Sequence, residues 1–348
     1  MHNTTRNRPV AIWLLVCCAM VFAMVVLGGV TRLTGSGLSM VEWDPIFGIV
    51  PPLTEDAWLR VFALYQQSPE YLKINTGMDL HAFKYIYSFE FAHRLLGRAI
   101  GLVFLVPALI FLVRGRLGRR LVPKLVVMFI LGGLQGVLGW YMVKSGLVDK
   151  PHVSQYRLTA HLALAVIIYT YMLWVALGLW YADGRHGGRA VVTTGLRIGS
   201  FIPGCLIFIT ILSGGFVAGL KAGLIYNTFP LMDGRWIPET VFMQSPLWRN
   251  LFENAVTVQF NHRLLALLTF ASVVILWLAS LRHSLPAQLR VALHLLMAAA
   301  LLQVTLGIST LLLHVPVPLA ATHQAGALLL FTVALYMSHR MSSITQSG

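Results

Sequence analysis

EFAHRLL, residues 90–96, leads into an apolar run that ends near residue 113, and QFNHRLL, residues 259–265, leads into another that ends near residue 281. Both copies carry a His-Arg pair where the pattern predicts the mouth of a membrane helix. Because a charged group in apolar surroundings costs free energy unless it is satisfied, the repetition predicts two related cofactor sites. The copies differ in one acid, Glu90 against Gln259, which predicts that the two sites do different jobs.

The composition is that of a membrane protein. Hydrophobic residues make up 57% of the 348 positions and charged residues 11%, which is too apolar for a soluble domain of this size. Apolar runs of about 20 residues, long enough to cross roughly 30 Å of hydrocarbon, predict an all-α membrane protein with eight transmembrane helices. The predicted spans lie near residues 10–31, 91–113, 124–143, 158–181, 198–220, 256–281, 291–313 and 318–338.

Charge orients these spans. An even number of crossings puts both termini on one side, where basic residues dominate the loops, whereas acids and bases balance on the other side. Because positive charge collects in cytoplasmic loops, both termini are expected in the cytoplasm. The net charge of +14 then reflects topology, so anionic membrane lipid is the expected partner and no nucleic acid is expected. The short stretch before residue 10 lacks secretory or transit-sequence features, which predicts a bacterial inner membrane.

The two halves of the chain repeat. Residues 93–96 are identical to residues 262–265, and residues 134–139 match residues 302–307 at four of six positions. Repeats with an even number of crossings insert in the same direction, and two pseudo-symmetric four-helix bundles are the simplest architecture. The predicted halves are 1–182, with an outer loop at 34–85, and 183–348, with an outer loop at 221–255. The glycines expected to let helices or a flat ring approach closely are Gly28, Gly29, Gly139, Gly214, Gly215 and Gly307.

Four of the twelve histidines occupy matching positions: His93, His161, His262 and His323. Each lies near the start of an outside-to-inside span, so all four are expected at one depth beneath the outer surface. A single histidine on an apolar helix is usually a core residue, but four matched ones indicate ligands. Two imidazoles from facing helices hold a haem iron, whereas zinc usually needs three or four protein ligands. We expect His93 to pair with His161 and His262 with His323; a proton relay is the alternative.

Arg94 and Arg263 lie beside two of these histidines, facing the outer surface, where haem propionates are expected and a guanidinium pairs well with carboxylate. An arginine that only reaches toward the headgroups is the alternative. Glu90 lies one turn outside His93 on the same helix face, where a carboxylate can carry protons or form an ion pair with Arg94. Gln259 cannot carry protons as an acid. The first half is therefore predicted to do chemistry and the second to transfer electrons.

Together, Glu-x-x-His-Arg at 90–94, the second His-Arg pair and the two single histidines resemble the haem A synthases. The resemblance covers nearly the whole chain and includes TRLTGSGLS at residues 31–39. It implies oxidation of the C8 methyl group of haem O, the substrate, to a formyl group, giving haem A for terminal oxidases. It also implies that His262 and His323 ligate a haem b cofactor, that His93 and His161 ligate the substrate haem, and that Glu90 is catalytic.

One departure concerns the first outer loop, which lacks the cysteine pair that some bacterial relatives carry. The chain looks like the cysteine-free type of some bacteria and mitochondria, so a thiol relay in that loop is excluded. The methyl group is expected to pass through an alcohol and a hydrated aldehyde while the second haem relays electrons one at a time.

The electron acceptor or donor is not identified by the sequence. A haem O synthase, terminal oxidase assembly factors and a second copy of this chain are candidate partners. Competing functions are a dihaem b-type membrane electron-transfer cytochrome and a haem transporter or chaperone. An acid in one site only favours the enzyme.

Overall fold

The computed structural model describes residues 4–42, 48–147, 153–182 and 193–343. Within these ranges the chain consists of α-helices, short 3-10 turns and connecting loops, without a strand. The α-helices are α1 (Thr4–Leu33), α2 (Glu55–Gln66), α3 (Pro69–Lys73), α4 (Leu80–Val113), α5 (Val122–Gly146), α6 (Gln155–Trp180), α7 (Thr194–Gly219), α8 (Asn250–Glu253), α9 (Ala255–Ser280), α10 (Ala287–Leu312) and α11 (Val317–Ser343).

Eight helices in the described ranges are long and apolar enough to cross a membrane, which confirms the predicted all-α fold and its number of spans. These are α1, α4, α5, α6, α7, α9, α10 and α11. The predicted arrangement as two pseudo-symmetric bundles stays a prediction.

Helix α4 begins at Leu80, about three turns before the predicted start near residue 91. Asp79 caps it, because its carboxylate accepts a hydrogen bond of 2.7 Å from the Ala82 amide. His93 therefore lies inside a long helix and not at its mouth. The predicted outer loop 34–85 is correspondingly shorter, and its residues 43–47 lie outside the described ranges.

Two compact units divide the chain. The Glu90 unit comprises Ala19–Ala165, and the Gln259 unit comprises Met1–Cys18 with Val166–Gly348. These boundaries fall within α1 and α6 and do not coincide with the predicted halves 1–182 and 183–348. The junction of those halves borders residues 183–192, which lie outside the described ranges.

In the Gln259 unit, α7, α9, α10 and α11 pack as a four-helix bundle. Helix α7 contacts α9 and α11, and α10 contacts the same two helices. Hydroxyl contacts join neighbours: Thr210 and Thr269 Oγ1 atoms lie 2.8 Å apart between α7 and α9, and Ser338 donates to the Ser200 carbonyl between α11 and α7. In lipid, where apolar surface alone gives little driving force between helices, such polar contacts help to select the neighbours.

In the Glu90 unit, the segment between α1 and α4 folds onto the first turns of α4. Tyr65 of α2 stacks on Phe83 of α4 with ring centroids 5.0 Å apart, and Trp58 packs edge-on against Tyr87 at 5.1 Å. Aromatic pairs of this geometry contribute about 0.5–1.5 kcal/mol each beyond the area that they bury. This aromatic cluster holds α2 and α3 against the N-terminal end of α4.

Candidate functional sites

In the Glu90 unit, each matched histidine lies against a glycine of another helix. A Cβ atom placed on Gly28 of α1 would lie 3.1 Å from His93 Nε2, and one on Gly139 of α5 would lie 3.1 Å from His161 Cε1. The imidazoles of His93 and His161 are close enough to interact electrostatically. The structure thus brings together the two histidines that the sequence paired in this half.

The Gln259 unit repeats the arrangement. A Cβ atom on Gly214 of α7 would lie 3.4 Å from His262 Cε1, and one on Gly307 of α10 would lie 2.9 Å from His323 Cε1. The imidazoles of His262 and His323 also interact electrostatically. Each of the four matched histidines therefore lies against a glycine, and the glycines occupy equivalent positions in the two units, as the sequence repeat predicts. Ligation of one iron by each pair stays a prediction.

A glutamine holds the second histidine of each pair. Gln135 Nε2 lies 3.2 Å from His161 Nε2 and donates to the His161 carbonyl at 3.1 Å. Gln303 Nε2 lies 3.1 Å from His323 Nδ1 and donates to the His323 carbonyl at 2.9 Å. The sequence comparison aligned these glutamines but assigned them no role. Their role could have been inferred from their position, because each glutamine lies one turn before the glycine that contacts the imidazole.

His262 has a hydroxyl contact for which the described residues show no equivalent at His93. Ser213 donates its hydroxyl proton to the Thr210 carbonyl at 2.8 Å, and its Oγ lies 2.7 Å from His262 Nδ1. With its proton directed at the Thr210 carbonyl, Oγ can accept a hydrogen bond from Nδ1–H, and that tautomer leaves Nε2 of His262 available to bind iron. The residue before the corresponding glycine of α1 is Leu27, which offers no such bond.

Glu90 is 3% exposed, and its carboxylate accepts three hydrogen bonds. Ser39 Oγ and the Met40 amide donate to Oε2 at 2.7 and 2.8 Å, and Arg94 Nη2 donates to Oε1 at 2.5 Å. Arg94 also donates to the carbonyl oxygens of Met40 and Glu42 at 2.9 and 3.0 Å. The ion pair that the sequence offered as an alternative is therefore present. Together, the hydrogen bonds of Glu90 and Arg94 anchor the loop segment that follows α1.

Gln259 and Arg263 occupy the same positions on α9. Gln259 Nε2 and Arg263 Nη2 donate to the Tyr226 carbonyl at 2.9 and 2.8 Å, a contact equivalent to that of Arg94 with Met40. Within the described residues, the buried Nε and Nη1 atoms of Arg263 have no hydrogen-bond partner. A buried guanidinium with free donors is suited to a carboxylate. This part of the site therefore fits a haem propionate, whereas Arg94 already has carboxylate and carbonyl partners.

The glycine contacts predict that Gly139→Ala disturbs the first site. The added methyl group would press on His161 Cε1, and overpacking of this kind costs about 1–3 kcal/mol. We expect a lower melting temperature and an altered spectrum of a haem bound to this unit. Gly136→Ala is the matched control, because a Cβ atom there has no neighbour within 4 Å. Identical spectra in the two variants would show that Gly139 does not position the imidazole.

Comparisons with known proteins agree along almost the whole chain. A family model described as a cytochrome oxidase assembly protein matches residues 11–335. A haem A synthase of Nitrosospira multiformis is 57% identical over 335 residues, covering 96% of this chain and 94% of the relative. That of Nitrosomonas eutropha is 52% identical over 339 residues, covering 97% and 95%. The haem A synthase COX15 of Homo sapiens is 46% identical over 352 residues, covering 99% and 85%.

Proposed function

We propose that this protein, which belongs to the haem A synthase family, oxidises the C8 methyl group of haem O to a formyl group and so supplies haem A for terminal oxidases. One observation carries the proposal. The two units hold equivalent pairs of histidines, and among the described residues a buried carboxylate, Glu90, lies one turn from a histidine of one pair, whereas the equivalent position of the other pair is Gln259. An electron carrier or a haem transporter has no evident need for an acid in one site only.

We infer that the Gln259 unit holds a haem b cofactor. His262 and His323 would ligate its iron, and Arg263 would bind a propionate. When bound, this haem supplies one-electron transfer. Three features of the unit support this role: the room left at Gly214 and Gly307, the free donors of Arg263, and the contact of Ser213 with His262. A hydrogen bond from the second ring nitrogen orients a ligand imidazole and raises its basicity, which favours tight binding of a metal.

We infer that the Glu90 unit binds haem O as the substrate, with His93 and His161 as its axial ligands. Leu27 leaves His93 without the hydroxyl contact that His262 has. A less restrained imidazole suits a molecule that must enter and leave. The room beside Gly28 and Gly139 accommodates the two imidazoles.

Glu90 is the proton acceptor in this proposal. Addition of water oxygen to the methyl carbon gives an alcohol, two protons and two electrons, and a second such step gives a hydrated aldehyde, which loses water to give the formyl group. The electrons pass to a one-electron acceptor of the membrane. Ser39 and the Met40 amide donate hydrogen bonds to Oε2 of Glu90, and Arg94 donates to Oε1, so the carboxylate is held in a fixed position, from which it can accept a proton.

We further propose a location in the inner membrane of a bacterium, with both termini in the cytoplasm and both haem sites near the outer face. Apart from Glu90, every acid in the described ranges lies before α4 in the first outer loop or between α7 and α9 in the second. This distribution supports the orientation, because the opposite side is left with the basic excess. Haem O synthase, oxidase assembly factors and a second copy of the chain are proposed partners within the membrane.

Pigment analysis tests the function. The chain is expressed in a host that makes haem O but lacks a haem A synthase, and the extracted haems are separated. We expect haem A in these cells and haem O alone in cells with the empty vector. Unchanged haem O in cells that contain the folded, haem-bound protein would instead indicate a carrier or an electron-transfer cytochrome.

A further inference from the structure

Glu70 of α3 is a buried carboxylate to which the sequence assigned no role. It is 7% exposed, and Glu70 and Glu90 are the only buried carboxylates among the described residues. Glu55 and Asp56 of the neighbouring helix α2 are exposed. Both buried acids therefore belong to the unit in which the chemistry is proposed, and the described part of the Gln259 unit has none.

Tyr65 holds the Glu70 carboxylate in place. Its Oη donates to Glu70 Oε2 at 3.2 Å and accepts a hydrogen bond of 2.7 Å from Asn75 Nδ2. Tyr65 is fully buried in the aromatic cluster and stacks on Phe83. The phenol therefore has both hydrogen-bonding functions occupied, and its orientation is set by packing.

Two common structural roles of an acid near a helix start, capping the helix and forming an ion pair, do not apply to Glu70. Ser68 caps α3 by accepting a hydrogen bond of 3.2 Å from the Tyr71 amide, so Glu70 is not the capping residue. In the described part of the chain Glu70 forms no ion pair. Burying a carboxylate without a cation costs free energy, so the presence of Glu70 in this environment needs an explanation.

The environment of Glu70 suits proton exchange near neutral pH. Burial raises the pKa of Glu70 to about 7, the hydrogen bond from Tyr65 opposes the rise, and the charge of Glu90 adds to it. The titratable groups that act on it are thus Tyr65 from α2 and Glu90 from α4.

Glu70 and Glu90 are connected by one face of α4. Phe83, Tyr87 and Glu90 lie on the same face of α4, because they follow one another at helical spacing. Tyr65, the partner of Glu70, packs on Phe83. Phe83 lies about 10 Å along the helix axis from Glu90, at a rise of 1.5 Å per residue. Glu70 therefore lies on the outer-loop side of Glu90 and still interacts with it electrostatically.

We propose that Glu70 carries protons between Glu90 and the outer solution. The inference rests on the proposed function, in which Glu90 receives the protons released from the substrate. A proton leaves a carboxyl oxygen of Glu90, crosses through water, binds a carboxyl oxygen of Glu70 and passes to the solvent. Only O–H bonds break and form, and no electrons move. The described part of the Gln259 unit, where electron transfer alone is proposed, contains no buried acid of either kind.

The kinetic test compares Glu70→Gln with the control Glu55→Gln in the full-length, haem-loaded protein. Ionised Glu70 accepts the proton, so the rate of the unaltered protein should fall as the pH drops below about 7. We expect Glu70→Gln to lower kcat about tenfold or more, with KM unchanged, and to remove this dependence on pH. Glu55→Gln should match the unaltered protein, because its side chain is exposed.

Infrared titration gives a second measurement that does not depend on turnover. The carboxyl C=O stretch of a group that titrates near neutral pH should be present in the unaltered protein and in Glu55→Gln, and absent from Glu70→Gln. Glutamine can still accept the hydrogen bond from Tyr65, so the melting temperature should be retained. Wild-type kcat and pH profile in Glu70→Gln would overturn the inference alone, whereas failure of the unaltered chain to make haem A would overturn the proposed function.

Discussion

Haem A formation should stop in Glu90→Gln while both haems stay bound. Removing a positioned proton acceptor costs about 100-fold to 10,000-fold in rate, and glutamine cannot take up the protons released by oxidation of the methyl group. The measurement is the ratio of haem A to haem O in cells that express the variant, together with the haem content of the purified protein. Normal haem A production would remove Glu90 from the mechanism.

The equivalent positions in the Gln259 unit indicate that Glu90→Gln should keep its fold. Gln259 and Arg263 show how a glutamine one turn before an arginine is accommodated, because both side chains donate to the Tyr226 carbonyl. In Glu90→Gln, the new amide can donate to the Met40 carbonyl in the same way. Arg94 keeps its two carbonyl acceptors. The free energy of unfolding should therefore fall by less than is typical when a buried ion pair is broken, which is about 3–5 kcal/mol. The reciprocal variant Gln259→Glu should still form haem A.

His161→Ala and His323→Ala should each lose a different haem. The imidazoles of His161 and His93 interact electrostatically, as do those of His323 and His262, so under the proposed pairing each variant should lose one ligand of one iron. We expect His161→Ala to bind haem b but no longer hold haem O, and His323→Ala to lack haem b. Both should make no detectable haem A. Absorption and electron paramagnetic resonance spectra of the purified variants distinguish the two haems.

His294→Ala is the matched control for these variants. His294 is exposed on α10 and accepts a hydrogen bond of 3.0 Å from Trp277 Nε1. It belongs to neither pair of matched histidines. Its replacement should leave both haem spectra unchanged. Loss of the same haem in His161→Ala and His323→Ala would contradict the pairing within each half.

The sequence alone determined the membrane class, the number of spans and the four matched histidines. These features are local or repetitive, since the length of an apolar run and the recurrence of a motif are visible without tertiary contacts. The start of α4 was wrong by about three turns, because Lys84, Tyr85 and Ser88 interrupt the apolar run although Asp79 caps a continuous helix. The difference between Glu90 and Gln259 was also visible in the sequence.

Only the tertiary structure decided which polar side chains support the two sites. It showed that Arg94 is engaged by Glu90 and the loop after α1, that Ser213 orients His262, and that Glu70 is buried beneath an aromatic cluster. The contacts of Arg94 with Met40 and Glu42, and of Ser213 with His262, join residues that are about 50 positions apart in sequence, and the burial of Glu70 depends on which elements pack around it. The burial and hydrogen-bond partners of a polar group depend on which helices and loops are its neighbours, and hydropathy and motif spacing do not encode that neighbourhood.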